Sequence, residues 1–309
     1  MSDGPAVPAR TGWLNLLLLR ADFWRRSRAH QAGRLLLLAA YGYLTILGLL
    51  LYCEDWMLYH ARPASRCWHQ PPAELHALDV DLTAADGTRI HAWWCVPPDW
   101  RPEQGAVLLA HGNDGNLGTR RRALLRWQRE TRMAVLAFDY PGFGLSGGRP
   151  SEAGCYAAAG AAYDWLTTTA KVSAERVLLC GGSLGGAVVV DLAHRKPCRA
   201  LVLISTFASF PDVAQSHFPW LPARWLVHNQ FNSLAKIAAC SCPVFVAHAT
   251  GDAVVPFEEG RRLFDAAPGR KQFLAMDGHP HRDFPNDAFY AALRRFLAEN
   301  TALAEHRAD

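Results

Sequence analysis

The chain contains little cysteine and little charge. Its 309 residues include eight Cys, and only 19% of them are Asp, Glu, Lys or Arg. Eight cysteines in a chain of this length are too few for a small protein held together by disulfides. Half of the residues are hydrophobic, which excludes a disordered chain, because such chains lack the apolar residues that form a core. The length suits one large α/β domain or two small domains.

Excess positive charge is confined to the N-terminus. The net charge of the chain is +4, and residues 1–34 hold six Arg and two Asp, so the rest of the chain sums to zero. A neutral main domain without a basic stripe is not typical of nucleic-acid-binding proteins. We therefore expect no nucleic-acid partner.

A long apolar run follows this basic leader. Residues 35–53 read LLLLAAYGYLTILGLLLYC and contain no charged residue. As a helix they would be about 28 Å long, close to the thickness of a hydrocarbon core. A retained transmembrane helix is favoured over a cleaved signal peptide, because the run is long and no good cleavage site follows it. The Arg excess before the run predicts a cytoplasmic N-terminus, with the rest of the chain on the opposite side.

The segments around this run have different compositions. Residues 13–26 mix aromatic residues with Arg, which suits either a helix lying on the membrane surface or simply a hydrophobic leader. Residues 54–76 contain Pro63, Pro71 and Pro72 with little periodicity, which predicts a linker. If the following domain is exported, Cys67 and Cys95 are a possible disulfide pair.

From residue 77 onward, short apolar runs alternate with helical stretches. The strand-like runs are LDVDL, IHAWWCV, AVLLAHG, AVLAFDY, VLLCGG, LVLIST, VFVAHA and QFLAM. Continuous apolar strands that alternate with helices indicate a mainly parallel sheet covered on both faces. The first two runs are joined by residues 85–87, Ala-Asp-Gly, a hairpin turn, so we expect the sheet to begin antiparallel.

One of these runs leads into a motif typical of a catalytic serine. The strand ending at Cys180 is followed by residues 181–186, GGSLGG, and then by a helical stretch. A G-x-S-x-G motif between a strand and a helix forms a tight turn that exposes the serine side chain at the helix N-terminus. We therefore predict that Ser183 is a nucleophile rather than part of a glycine-rich connection.

Four motifs together resemble the α/β-hydrolase superfamily. They are HGNDGN (111–116), FDYPGFGLSGG (138–148), GGSLGGA (181–187) and HATGDAVVP (248–256). The sequence is most similar to the serine aminopeptidase-like, membrane-anchored branch that includes depalmitoylase-like and monoacylglycerol-lipase-like hydrolases. The resemblance implies an α/β-hydrolase fold over residues 77–309, with a mostly parallel eight-stranded sheet. It also implies a nucleophile–acid–histidine order along the chain and no cofactor.

The resemblance further implies an oxyanion hole formed by two backbone N–H groups. By position in the motifs these belong to Asn113 and Leu184. The family usually has a small residue where this chain has Asp114, which predicts a lower tolerance for anionic substrates. It also often has a larger polar residue where this chain has Gly182.

The catalytic acid and base are implied in the same way. Asp252 follows the strand VFVA and matches the family's catalytic acid, which holds the histidine in the correct tautomer. Two histidines, His279 and His281, compete for the role of the base. Motif spacing favours His281, which begins a histidine-arginine-aspartate-phenylalanine sequence. Two closely spaced histidines without further ligands do not predict a metal site.

The long segment between two of the strands predicts a small cap at about 207–238. A connection of this length inside a compact domain is usually functional. Its aromatic residues would form an apolar acyl site or would cover the edge of the sheet. These aromatic residues are Phe207, Phe210, Phe218, Trp220, Trp225 and Phe231.

Taken together, these features predict a membrane-anchored serine hydrolase. Ser183, His281 and Asp252 would cleave lipid or acyl esters or thioesters through an acyl-enzyme. A serine peptidase of the same fold and a non-catalytic, membrane-tethered scaffold are the alternatives. The oligomeric state is not predicted.

Overall fold

The computed structural model describes residues 27–281 and 285–305. The chain divides into two compact units, the first ending at Tyr52 and the second beginning at Cys53. The residues predicted to form a surface helix or hydrophobic leader, 13–26, lie outside the described residues.

The described part of the first unit is one apolar helix, α1 (Arg28–Tyr52). It has 25 residues, a mean hydropathy of 2.0 over its most apolar window and no buried side chain. It begins seven residues before the apolar run and ends one residue before the end of that run. Among the described residues, this helix is long and apolar enough to cross a membrane.

The second unit is built around an eight-stranded sheet. Its strands, with two short ones outside that sheet, are β1 (His60–Ala61), β2 (Ala77–Thr83), β3 (Arg89–Cys95), β4 (Ala106–Ala110), β5 (Asp114–Gly115), β6 (Ala134–Phe138), β7 (Val177–Gly182), β8 (Ala200–Ile204), β9 (Val244–Ala249) and β10 (Lys271–Met276). The helices of this unit are α2 (Glu54–Leu58), α3 (Arg121–Thr131), α4 (Glu152–Thr168), α5 (Leu184–Arg195), α6 (Phe210–His217), α7 (Ala223–Leu226), α8 (Ser233–Ile237), α9 (Phe257–Ala266) and α10 (Asp287–Glu305).

The sheet has the order β10-β9-β8-β7-β4-β6-β3-β2. Strand β3 is antiparallel to both β2 and β6, and the remaining neighbours are parallel. The predicted mostly parallel sheet with an antiparallel start is therefore confirmed. Successive residues of the strands point to opposite faces, so that Val107 and Leu108, for example, belong to two separate hydrophobic clusters. Both faces are covered, which explains why the central strands are apolar throughout.

Residues 54–76, which we expected to be a linker, are instead part of the folded second unit. Leu58 and Tyr59 are buried, and β1 pairs in parallel with β5. The two apolar side chains enter the core, and the backbone after them bonds to the loop that follows β4. The compact unit therefore begins at Cys53 rather than at residue 77. Cys67 and Cys95 are free thiols in the structure, and the possible disulfide between them is not formed.

The segment predicted to be a cap contains the three short helices α6, α7 and α8. Its aromatic residues have two different environments. Phe207 and Phe231 are buried in the main hydrophobic cluster, whereas Trp220 is 51% exposed and Trp225 is 87% exposed. The segment is thus anchored by Phe207 and Phe231 and presents exposed aromatic side chains between them.

Candidate active site

The predicted site residues lie at one edge of the sheet. Asn113, Ser183, Asp252 and His281 follow β4, β7, β9 and β10, which are parallel strands. The carboxyl ends of parallel strands meet at the same edge, which is where open α/β sheets bind ligands. Residues separated by up to 168 positions in the sequence are therefore brought to one side of the domain.

Ser183 occupies a strained turn between β7 and α5. Its backbone has φ 52° and ψ −124°, a conformation that non-glycine residues rarely adopt. The turn is held by hydrogen bonds from the Ser183 N–H to Ile204 O (2.9 Å) and from Thr206 Oγ1 to Ser183 O (2.7 Å). This is the geometry that a nucleophile elbow requires.

Glycines around Ser183 are required by close approaches of backbone and side-chain atoms. A Cβ on Gly181 would lie 2.1 Å from Gly185 O, and a Cβ on Gly185 would lie 2.1 Å from Ala110 O. At Gly186 the nearest atom would be Thr206 Oγ1, at 2.3 Å. A Cβ is therefore sterically excluded at these three positions, and the glycine pattern has a structural cause at this turn.

The loop carrying Asn113 runs beside this elbow. Strands β4 and β7 are direct neighbours, and a Cβ on Gly112 would lie 3.6 Å from the Ser183 Cβ. Beneath the loop, Nε2 of His111 is 3.3 Å from Oδ1 of the fully buried Asp139. The Tyr140 hydroxyl donates to His111 O at 2.7 Å. The side chains of Asp139 and Tyr140 thus hold the loop in place. Both residues belong to the motif at 138–148, which gave no indication of this role.

Asp114, the unusual acid of this loop, is paired. Its Oδ1 lies 2.5 Å from Arg120 Nη2, which also donates to the Asp114 carbonyl at 2.7 Å. The nearby guanidinium offsets the negative charge, which weakens the reason for expecting poor tolerance of anionic substrates.

Asp252 accepts hydrogen bonds at both carboxylate oxygens. Oδ1 accepts from the N–H groups of Val254 (2.9 Å) and Val255 (2.8 Å), and Oδ2 lies 2.6 Å from Nδ1 of His281. Burial alone would raise the pKa of Asp252, but the hydrogen bonds from His248, His281 and Val255 hold this pKa well below its usual range. The carboxylate is therefore ionised at neutral pH and oriented toward His281.

The two candidate histidines have different neighbours. His281 contacts Asp252, whereas Nε2 of His279 lies 3.4 Å from Nδ2 of Asn286. The structure thus brings His281, and not His279, to the carboxylate. Residues 282–284, the remainder of the motif that begins at His281, lie outside the described residues.

A second histidine next to Asp252 was not identified from the sequence. His248 is fully buried, and its Nε2 lies 3.1 Å from Val255 O and 3.5 Å from Asp252 Oδ2. A Cβ on Gly260 would lie 2.2 Å from His248 Nδ1, so α9 leaves room for this ring only because a glycine faces it. The position of His248, four residues before Asp252 at the end of a strand, was the only available signal.

Comparisons with known proteins agree with this architecture. A family model described as alpha/beta hydrolase fold matches residues 105–228. An uncharacterized protein of Mycobacterium tuberculosis is 36% identical over 230 residues, which cover 74% of this chain and 81% of that protein. The uncharacterized protein YfhR of Escherichia coli is 32% identical, with 70% of this chain and 77% of that protein covered. The chain belongs to the alpha/beta-hydrolase family.

Solved structures show the same fold at lower sequence identity. An esterase of Pyrococcus furiosus matches with a TM-score of 0.61 and 21% identity, covering 78% of this chain and 98% of that chain. An acetyl xylan esterase of Paenibacillus sp. R4 matches with a TM-score of 0.60 and 22% identity, covering 72% of this chain and 83% of that chain. These likenesses establish the fold of the second unit.

Proposed function

We propose that the chain is a membrane-anchored serine hydrolase that cleaves carboxylic esters or thioesters of lipids or acyl groups. The observation that carries the proposal is the Asp252–His281 pair at the same sheet edge as the strained turn of Ser183. A nucleophile, an acid and a histidine base in this chain order define the acyl-transfer chemistry of the fold.

In the proposed reaction, Ser183 Oγ attacks the acyl carbonyl carbon while His281 Nε2 takes the hydroxyl proton. The other ring nitrogen, Nδ1, donates to Asp252, which stabilises the imidazolium that forms. The N–H groups of Asn113 and Leu184 bind the tetrahedral oxyanion. His281 then protonates the leaving alcohol or thiol, and a water molecule, deprotonated by His281, releases the acid from the acyl-enzyme.

Two features favour an acyl or lipid substrate at a membrane. Helix α1 has the length and hydropathy of a single membrane span, and the Arg-rich leader before it favours a cytoplasmic N-terminus. Trp220 and Trp225 are exposed on the cap, and tryptophan is enriched where protein meets the membrane interface. The hydrolase domain would then act on the side of the membrane opposite the leader.

Ester cleavage is favoured over peptide cleavage by the structural neighbours. Two of them are named as esterases, although one further match, with a TM-score of 0.55 and 19% identity, is a puromycin-hydrolyzing peptidase of Mycobacterium tuberculosis. Both activities would use the same triad, so the leaving group has to be tested directly.

The test is hydrolysis by the detergent-solubilised full chain of acyl esters of increasing length and of amides with matched acyl groups. We expect hydrolysis of the esters to exceed that of the amides, and Ser183→Ala to reduce ester hydrolysis by at least about 10³-fold. Preferred amide cleavage would indicate the peptidase. Ester hydrolysis that Ser183→Ala leaves unchanged would contradict the mechanism.

A further inference from the structure

The segment that follows α1 bonds directly to the loop carrying Asn113. The His60 N–H donates to Asn113 O at 2.9 Å, and Asn113 Nδ2 donates to Leu58 O at 2.7 Å. Next to these bonds, β1 and β5 pair in register, and the Arg62 N–H donates to Gly115 O at 3.3 Å. The carbonyl and the side chain of Asn113 are both held by residues more than fifty positions earlier in the chain.

A buried asparagine extends this attachment. Asn116 is fully buried, and its Nδ2 donates to both Arg62 O (2.8 Å) and Cys67 O (2.7 Å). One side-chain amide thus joins the backbone at both Arg62 and Cys67 to the loop. The loop 113–116 is held along its whole length by residues 58–67.

The start of the same segment bonds to the cap. Glu54 has a buried carboxylate that accepts from the backbone N–H groups of His228 (3.0 Å) and Asn229 (2.8 Å). The same carboxylate lies 2.8 Å from both Asn229 Nδ2 and His228 Nδ1. Each oxygen of the Glu54 carboxylate therefore faces two nitrogen atoms, and both oxygens are needed as acceptors.

The cap residue Asn229 has a further partner in the segment. The Tyr59 hydroxyl donates to Asn229 Oδ1 at 2.7 Å, and both residues are buried. Burial, with nearby acidic groups, raises the pKa of Tyr59 well above its usual range, so the hydroxyl remains a donor at every physiological pH. Asp55 adds an exposed contact, with Oδ1 lying 2.8 Å from Asn229 Nδ2.

We propose that residues 54–62 are a positioning segment of the active site, in which the backbone of 58–62 places the oxyanion loop and Glu54 places the cap. The inference rests on the proposed function, because it takes the Asn113 N–H as an oxyanion donor. In the sequence, Glu54 lies two residues after the end of α1.

The two attachments act on different kinetic constants. An oxyanion donor contributes only when it is already aimed at the developing charge, so a loosened loop lowers kcat for every ester. A loosened cap leaves the reacting atoms in place but weakens binding of the acyl chain, so it raises KM for long acyl esters. A purely structural role would instead lower the amount of folded enzyme and leave the KM of the remainder unchanged.

The cap attachment is tested with Glu54→Gln in the detergent-solubilised full chain. Glutamine keeps the shape of the side chain but has one acceptor oxygen, so two donors lose their partner. We expect KM for a long-chain ester to rise about fivefold to tenfold, with KM for a short-chain ester unchanged. Glu54→Asp keeps both acceptor oxygens, so we expect KM for the long-chain ester to rise less than it does in Glu54→Gln. The matched control is Glu74→Gln, at an exposed position of the same region.

The loop attachment is tested at His60, whose side chain is exposed. His60→Pro removes the N–H that Asn113 O accepts, whereas His60→Ala keeps it. The preceding residue Tyr59 is extended, with φ −98° and ψ 98°, and its ψ lies about 20° below the range that a residue before proline favours. We expect His60→Pro to lower kcat about tenfold for short and long esters alike, and His60→Ala to match the wild type.

Thermal unfolding of each variant separates positioning from loss of fold. If folded His60→Pro hydrolyses esters as His60→Ala does, or if Glu54→Gln retains the KM of Glu74→Gln, the proposal is overturned. Should His60→Pro fail to fold, the Glu54 series decides alone. Failure of the proposed function is recognised separately, because wild type and Ser183→Ala would then hydrolyse esters equally.

Discussion

The proposed nucleophile elbow at Ser183 and the proposed acid–base pair, Asp252 and His281, are held in place by different forces. The elbow is fixed by steric packing. A Cβ added to Gly181 or to Gly185 would lie 2.1 Å from a backbone oxygen, so the backbone at these positions leaves no room for a side chain. The acid–base pair is fixed by hydrogen bonds, because Asp252 receives donors from Val254, Val255 and His281. Changes at the elbow should therefore affect the fold, whereas changes at the acid–base pair should affect the chemistry and leave the fold intact.

The largest effect on chemistry is expected from His281→Ala. It removes the group that the proposed mechanism uses as base, and loss of such a base typically lowers kcat by about 10⁶-fold. His279→Ala is the matched control, because His279 contacts Asn286 rather than the carboxylate. Ester hydrolysis is the measurement, and the reverse ranking of the two variants would transfer the role of base to His279.

A smaller loss is expected from Asp252→Asn. An amide in place of Oδ2 would direct N–H toward the Nδ1–H of His281, so the ring would turn or change tautomer. The corresponding change in a serine protease lowers kcat by about 10⁴-fold with the geometry retained. We expect a similar loss of kcat in a variant that still folds and is only slightly destabilised, and a folded Asp252→Asn variant with wild-type kcat would exclude Asp252 as the catalytic acid.

At the elbow, Gly185→Ala should reduce both activity and stability. The added methyl group would lie 2.1 Å from Ala110 O, which would force apart β4 and α5 on either side of the proposed oxyanion hole. We expect a loss of activity of about 10²-fold or more and destabilisation by about 1–3 kcal/mol. Gly182→Ala is the control for stability, since its nearest atom is 3.7 Å away. Equal denaturant unfolding of the two variants would refute the steric account.

The weakest expected effect is on the pH dependence of stability. The folded-state pKa of Asp252 is lowered, so its ionised form stabilises the fold above the unfolded-state pKa of about 3.9. This contribution is lost as the pH falls through the folded-state pKa. The stability difference between wild type and Asp252→Asn should therefore be largest above about pH 5 and shrink below about pH 4. A difference that is constant with pH would show that ionisation of Asp252 does not contribute.

The sheet and the elbow were predictable from the sequence because their causes are local. The buried strands read as continuous apolar runs, and the helical stretch expected after the serine motif is α5. The elbow was recognisable because its glycines lie within six residues of one another, and three of them, Gly181, Gly185 and Gly186, are needed there to avoid a steric clash. Patterns of this kind reflect the backbone conformation of the same residues.

The attachments of residues 54–62 were not predictable, because each joins positions far apart in the chain. Glu54 and Asn229 are separated by 175 residues, and the bonds to Asn113 involve backbone groups of Leu58 and His60. Backbone hydrogen bonds place no demand on residue type, so the sequence of the segment resembles a linker. His248 was missed for a related reason, since a buried histidine in an apolar strand has no distinctive pattern around it.

The most direct test of the account is fluorophosphonate labelling of membranes that carry either the wild-type chain or Ser183→Ala. The reagent reacts covalently with a serine activated by an assembled triad and oxyanion hole. If Ser183 is the activated nucleophile, we expect the wild-type chain to be labelled and Ser183→Ala to remain unlabelled. Equal labelling of both chains, or a folded wild type that remains unlabelled, would contradict it.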